Sequence, residues 1–186
     1  MQHLLVNEYT SMPWKNGKGV TREIAKSSGE NGLIWRLSST EITQDGPFSN
    51  FPNLSRVLIV TNGVGIRLID TNTDVKMLAS LHKPTKFSGN QPIEAQLIKG
   101  PIQNFNVIYH PTKTKSSVYI LEGPESNKLS PQDGVTMAIY CLSGTLTLNQ
   151  KTLNRDETSL LMNPDVVNFS CPKGSKALLV TFVLLA

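Results

Sequence analysis

From Leu33 onward this sequence is cut into short runs of β-branched, aromatic and aliphatic residues, each closed by Gly, Pro, Asn or Asp. No long segment repeats apolar residues at i, i+3, i+4 and i+7, so the pattern excludes a helical architecture. Runs of this kind read as strands. The clearest are Leu33 to Thr43, Arg56 to Asn62, Val64 to Asp70, Val75 to Ala79, Ile93 to Lys99 and Gln103 to His110. A Lys-, Thr- and Ser-rich stretch from Pro111 to Ser117 reads as a connector. Beyond it come Thr136 to Ser143, Thr145 to Asn149, Thr158 to Met162, Val166 to Ser170 and Ala177 to Leu185. Gly123 to Gly134, which contains Pro124 and Pro131, reads as a loop. Many short strands with Gly/Pro turns predict an all-β sandwich or jelly roll. An apolar run, a glycine turn and an alternating run recur around Gly63 and Gly144, the mark of a duplicated unit.

At 186 residues the chain suffices for one compact domain or two small barrels sharing a core. The expected division is 1–115 and 116–186, with exchange of strands between the halves allowed. The formal charge is +4, but the basic residues are scattered, and a nucleic-acid partner usually requires a basic stripe. Cys141 and Cys171 are too few for a secreted disulfide framework and each borders an apolar run, so both read as buried thiols. Neither a leader pattern nor an apolar stretch approaching ~20 residues is visible. The expectation is a cytoplasmic protein, monomer or homodimer, with no nucleic-acid or membrane partner.

Three histidines, His3, His82 and His110, stand far apart, with no metal-ligand spacing. No Gly-x-Ser-x-Gly elbow occurs, and Gly17-Lys18-Gly19 forms neither a Walker nor a dinucleotide pattern. No metal and no cofactor are therefore expected. The densest cluster of unusual residue types is Met12 to Ala25. Its second half reads as a strand, with Thr21, Glu23 and Ala25 on one face and Val20, Arg22 and Ile24 on the other. Arg22, among aliphatics, is either an ion-pair member or a ligand hook. In Leu33 to Ile42, alternation puts Ile34, Arg36, Ser38, Thr40 and Ile42 on one face, which either meets solvent or lines a mouth. Arg56 opens an apolar strand, and Asn106 sits between Phe105 and Val107. Three strand-borne arginines suit a carboxylate, which the guanidinium fork binds bidentately. The competing reading pairs each with Glu23, Glu41 or Asp45, and places Trp14, Phe48, Phe51, Phe87 and Phe105 individually in a core.

Pro13-Trp14-Lys15-Asn16-Gly17-Lys18-Gly19-Val20-Thr21-Arg22-Glu23-Ile24-Ala25 resembles the signature of the HutD/Ves family. Trp35-Arg36-Leu37-Ser38, Asp45 to Pro52, Phe87-Ser88-Gly89 and Phe105-Asn106-Val107 resemble it too, in the family's order, over nearly the whole chain. Lys18 interrupts a run of three glycines, Asn53 replaces a common glycine, and Asn104 stands where an acidic residue is common. The resemblance implies a cupin-superfamily fold: two jelly-roll β-barrel halves in one chain (a bicupin), without the metal histidines. Family members are often encoded beside histidine-degradation genes, and others are linked to stress responses. The implied function is metal-free binding of a small acidic metabolite, such as a formylglutamate-like intermediate. Arg22, Arg36 and Arg56 would hold the anion. Asn16, Ser38 and Asn106 would add neutral hydrogen bonds, with Trp14, Phe48 and Phe87 as walls. A metal-independent enzyme is the alternative, with Glu23 as general base; it requires a strand bulge there and a raised pKa. A stress-related scaffold without ligand is the third class, and it predicts an interior with no cavity.

Overall fold

The structure is a computed structural model that describes residues 1–14, 19–30 and 32–185. It divides into two compact units, Thr10–Thr112, and Met1–Tyr9 with Lys113–Ala186. Among the described residues the one helical element is a 3-10 turn, Val6–Glu8. The chain opens with strand β1 (Gln2–Leu4), which belongs to the second of these units.

The unit Thr10–Thr112 contains β2 (Thr10–Pro13), β3 (Gly19–Gly29), β4 (Gly32–Ile42), β5 (Gly46–Pro47) and β6 (Ser55–Asn62). It continues with β7 (Gly65–Asp70), β8 (Lys76–Ser80), β9 (Thr85–Ser88), β10 (Ile93–Leu97) and β11 (Ile102–Tyr109). They form two antiparallel sheets, β2-β3-β4-β11-β6-β9 and β5-β10-β7-β8. The other unit contains β12 (Thr114–Glu122), β13 (Glu125–Leu129), β14 (Val135–Ser143), β15 (Thr145–Leu148), β16 (Lys151–Asn154), β17 (Thr158–Met162), β18 (Val167–Cys171) and β19 (Lys176–Leu184). Its sheets are β1-β17-β14-β19-β12 and β13-β18-β15-β16.

The two strand orders correspond one for one. In each unit the first, eighth, third and sixth strands of an eight-strand series pair in that order (β4-β11-β6-β9 and β12-β19-β14-β17). The second, seventh, fourth and fifth make the other sheet (β5-β10-β7-β8 and β13-β18-β15-β16). The repeated sequence pattern around Gly63 and Gly144 falls on equivalent joints, β6 to β7 and β14 to β15. Both glycines have positive φ, +92° and +70°. A Cβ on Gly63 would stand 2.7 Å from the Pro101 carbonyl oxygen, and one on Gly144 2.3 Å from Ser175 Oγ. Only glycine meets both demands at these turns.

Each unit buries its own core between its own sheets. Ile42, Leu58, Val60, Phe87 and Ile102 from the six-stranded sheet meet Ile66, Leu68, Ala79, Ile93 and Ala95 from the four-stranded one. The apolar run of β6, with Val57 to Val60 all at most 6% exposed, is buried on both faces, as its unbroken hydrophobicity demands. In the other unit Ile139, Cys141, Leu161 and Ala177 face Leu146, Leu148, Leu153, Val167, Phe169 and Cys171. Both thiols are free and buried, and burial pushes Cys141 up to about 12, so it stays a protonated, inert thiol at neutral pH.

Two segments read as connector and as loop contain strands. The connector Pro111 to Ser117 contains the start of β12, whose Lys115, Ser117 and Tyr119 are exposed on alternate positions. A strand with one solvated face carries the polar composition of a connector. The loop Gly123 to Gly134 contains β13, a short and mostly exposed strand paired with β18 from Glu125↔Cys171 to Leu129↔Val167.

Candidate functional site

The register of the six-stranded sheet brings the chemistry together. Along β4, Arg36, Ser38, Thr40 and Ile42 project to one face, and on β11 they lie opposite Ile108, Asn106, Asn104 and Ile102. Beyond β11, Arg56 of β6 is opposite Ile108, and Phe87 of β9 is opposite Arg56. Arg36 and Arg56 therefore occupy one row across the sheet, two strand spacings or roughly 10 Å apart at the backbone. This face opens into a cavity of about 490 Å³ within the unit Thr10–Thr112. Five of its lining residues are polar yet almost wholly buried: Ser38, Thr40, Arg56, Asn104 and Asn106, at 1% to 6% exposure. Buried polar side chains on an inward face cost free energy unless they are hydrogen-bonded, so their bonds decide what the site does.

Arg56 is the centre. Its guanidinium carbon lies 5.2, 5.0 and 4.8 Å from the ring centroids of Phe48, Phe51 and Phe87. One Nη donates to the Ser49 carbonyl oxygen at 3.1 Å and the other to Asn106 Oδ1 at 3.4 Å. Its Nε is buried and meets no acceptor among the described residues, and no carboxylate there pairs with it. Burial, and then the like charge of Arg36, pulls this guanidinium down to about 10, which leaves it charged at neutral pH. A buried cation without a counter-ion costs several kcal/mol, and three ring faces at about 0.5–2 kcal/mol each recover only part of that.

Arginine offers only donors, so Asn106 must turn its oxygen toward Arg56. The Asn106 Nδ2 then donates to Asn104 Oδ1 at 2.5 Å and to Thr40 Oγ1 at 3.5 Å. Asn104 thus spends its oxygen within the relay and keeps a buried Nδ2 with no acceptor among the described residues. On the other side, the Trp14 indole donates to Thr21 Oγ1 at 2.8 Å, and the Thr21 and Thr40 hydroxyls lie 3.2 Å apart. The relay ends in a buried N–H group of Asn104, a residue of the cavity lining, with no acceptor among the described residues.

Arg36 is held differently. Its Nε donates to Glu23 Oε2 at 2.7 Å, and Lys26 Nζ lies 2.8 Å from the other oxygen. A bulge makes this cluster. Glu23 pairs with Ser38 but Ala25 pairs with Leu37, so Ile24 is the extra residue and Lys26 comes level with Arg36. Burial alone would raise the Glu23 pKa, but hydrogen bonds from Lys26 and Arg36, with their charges, hold it below its ordinary value. A general base at neutral pH needs the opposite shift.

The aromatic wall is pinned from several sides. Phe48 N donates to the Ile93 carbonyl at 2.8 Å, Phe51 N to Gly89 at 2.9 Å, and Gly89 N to Leu54 at 2.8 Å. The loop carrying Phe48 and Phe51 is thereby tied to β10 and to the end of β9.

Of the residues singled out in the sequence, Trp14, Arg36, Ser38, Phe48, Arg56 and Asn106 line the cavity. Phe87 stands behind, against the Arg56 guanidinium. Glu23 anchors Arg36. Arg22 pairs with Ser39, on the face opposite to Thr21 and Glu23, and is not part of the lining. Asn16 lies outside the described residues. Sequence reasoning passed over Thr21, Thr40, Phe51 and Asn104 as site residues. Alternation held the signal for three of them: Thr40 shares a face with Arg36 and Ser38, Thr21 with Glu23, and Asn104 with Asn106. Among the described residues no group of three or more His, Cys, Asp or Glu side chains is placed to hold a metal ion. No helix among them is long and apolar enough to cross a membrane.

The family model HutD matches residues 6–179. The chain is 36% identical over 125 residues to an uncharacterized 21.2 kDa protein in the hutC 3' region of Pseudomonas putida. That match covers 66% of this chain and 65% of the relative, just under two thirds of its length. It is 32% identical over 146 residues to Protein Ves of Escherichia fergusonii, covering 77% of this chain and 74% of that one. Among solved structures it resembles HutD from Pseudomonas fluorescens SBW25, obtained in a formate condition. The TM-score is 0.82 at 25% identity, over 100% of this chain and 99% of that one. A cupin 2 conserved barrel domain protein from Leptotrichia buccalis shares the fold alone, with a TM-score of 0.60 at 10% identity over 94% and 92% of the two chains.

Proposed function

We infer, for a chain that belongs to the HutD family, a binding function rather than a catalytic one. The unit Thr10–Thr112 holds a small metabolic anion in its cavity, with Arg56 as the fixed charge and Arg36 as the second. The observation that carries this reading is the buried Arg56, boxed by three phenylalanines, whose Nε has no acceptor among the described residues. A folded protein keeps such a costly group where a ligand completes it. A carboxylate fits: it brings the missing charge and accepts from a guanidinium edge. Glu23 is spent on Arg36 and Lys26 with a lowered pKa, which removes the ground for a Glu23-based enzyme. A cavity of about 490 Å³ speaks against a scaffold with a filled interior.

The matching eight-strand orders support a bicupin in which two jelly-roll barrels arose from one unit, and the first carries the polar cavity. The relative in the hutC 3' region supports a role related to histidine utilisation, and the ligand we propose within that role is a formylglutamate-like acid. Calorimetric titration with formylglutamate, urocanate and glutarate tests it. Heat that saturates with at least one of these acids is the expected result. No heat from any of them at millimolar concentration removes the reading.

A further inference from the structure

Arg56 fixes where an anion sits, but the donors around it specify what else that anion carries. Asn104 is 1% exposed, lines the cavity, and holds an unpartnered Nδ2. The chain of hydrogen bonds fixes this polarity. Arg56 forces Asn106 to accept, Asn106 therefore donates to Asn104 Oδ1, and only an N–H group remains. Arg56 and Asn104 are thus linked through the single amide of Asn106. The lining contains two arginines and, among the described residues, no carboxylate. A ligand ammonium would meet the Arg56 charge, and the carboxylate beside the lining, Glu23, is already held by Arg36 and Lys26. A carbonyl oxygen would satisfy Asn104, whereas a ligand with neither group leaves the amide buried and unpaired.

Resting on the binding reading above, we propose that Asn104 determines specificity. It selects carboxylates that bear a second acceptor, a carbonyl oxygen, near the anionic group, and the site rejects the corresponding free amino acids. The discrimination is of the kind a buried donor imposes: leaving it unmet costs about tenfold or more in affinity.

Three five-carbon acids of one length test this. Glutarate has no extra group, 2-oxoglutarate adds a carbonyl, and glutamate adds an ammonium. Each is titrated calorimetrically into the wild-type chain and into Asn104→Asp and Asn104→Leu. Near-UV circular dichroism establishes that each variant is folded. In the wild type 2-oxoglutarate should bind about tenfold or more tighter than glutarate, and glutamate more weakly than either. Asn104→Asp, which puts a carboxylate in that place, should reverse the order of 2-oxoglutarate and glutamate. Asn104→Leu should remove the preference for 2-oxoglutarate over glutarate without admitting glutamate. If Asn104→Asp does not fold, the wild-type order and Asn104→Leu decide. Equal binding of the three acids by the wild type, or an order unmoved by the variants, overturns the role of Asn104 while leaving anion binding in place. Silence from all three acids in the wild type, while formylglutamate or urocanate gives heat, overturns the role of Asn104 alone; silence from those two as well overturns both.

Discussion

Arg56 separates function from folding. A buried ion whose partner is a carboxylate cannot be removed cheaply, because the carboxylate is left stranded at about 3–5 kcal/mol. Arg56 has no such partner among the described residues, only a carbonyl, an amide and three rings. Arg56→Met, which keeps most of the volume, should therefore abolish anion binding while thermal stability holds within about 1 kcal/mol or rises. A fall in the melting temperature equivalent to several kcal/mol would mean the guanidinium is there for structure. Asn106 is the contrary case. Asn106→Leu leaves Arg56 and the Asn104 oxygen each short of a bond, and should cost about 1–3 kcal/mol in chemical denaturation even without ligand. The sequence named both residues, since an arginine at the head of an apolar strand and an asparagine inside another are visible anomalies. Alternation put Asn104 on the face of Asn106, but its role was not legible, because the polarity of a relay exists only once three strands are in register.

At the scale of elements, the site depends on a bulge and on a close backbone crossing. The bulge at Ile24 puts Glu23 and Lys26 beside Arg36 and leaves Arg22 on the opposite face. A strict alternation of β3 separates Arg22 from Glu23, but it cannot foresee the extra residue that follows. The ion cluster predicts an acid response. Glu23 titrates below its ordinary 4.5 in the folded chain, so its contribution is complete above that value and is lost as pH falls through the folded pKa. The melting-temperature gap between wild type and Glu23→Gln should thus be widest at neutral pH and close as pH is lowered below about 4.5. The crossing is at Gly89, where a Cβ would stand 2.2 Å from the Phe51 carbonyl oxygen and 2.8 Å from that of Leu54. Both are backbone atoms that cannot swing aside. Gly89→Ala should cost about 1–3 kcal/mol and, by moving the Phe51 loop, weaken anion binding as well, read by calorimetry on the folded variant.

For the whole molecule, two units with matched strand orders carry different interiors. The unit Thr10–Thr112 has polar groups where its sheet opens into the cavity, and the other has a core of aliphatic residues, Phe169 and two thiols. Leu161 is fully buried in that second core. Leu161→Ala should cost about 2–5 kcal/mol yet leave the affinity of the folded protein for its anion unchanged. An all-β chain with a repeated strand–turn–strand joint was readable from periodicity and from Gly63 and Gly144. The same periodicity missed β12 and β13, whose exposed alternate positions look like connector. It also missed the passage of β1 into the sheet of β17, because a three-residue strand carries too little pattern. The central claim is that the orphaned Nε–H of Arg56 is the hook for an anion. Its nuclear magnetic resonance signal, assigned by its disappearance in Arg56→Lys, tests that claim most directly. Titration with the acid that gives heat should move the Nε proton downfield and saturate along the calorimetric curve. An Arg56 Nε–H signal that stays in place while the acid binds would contradict it.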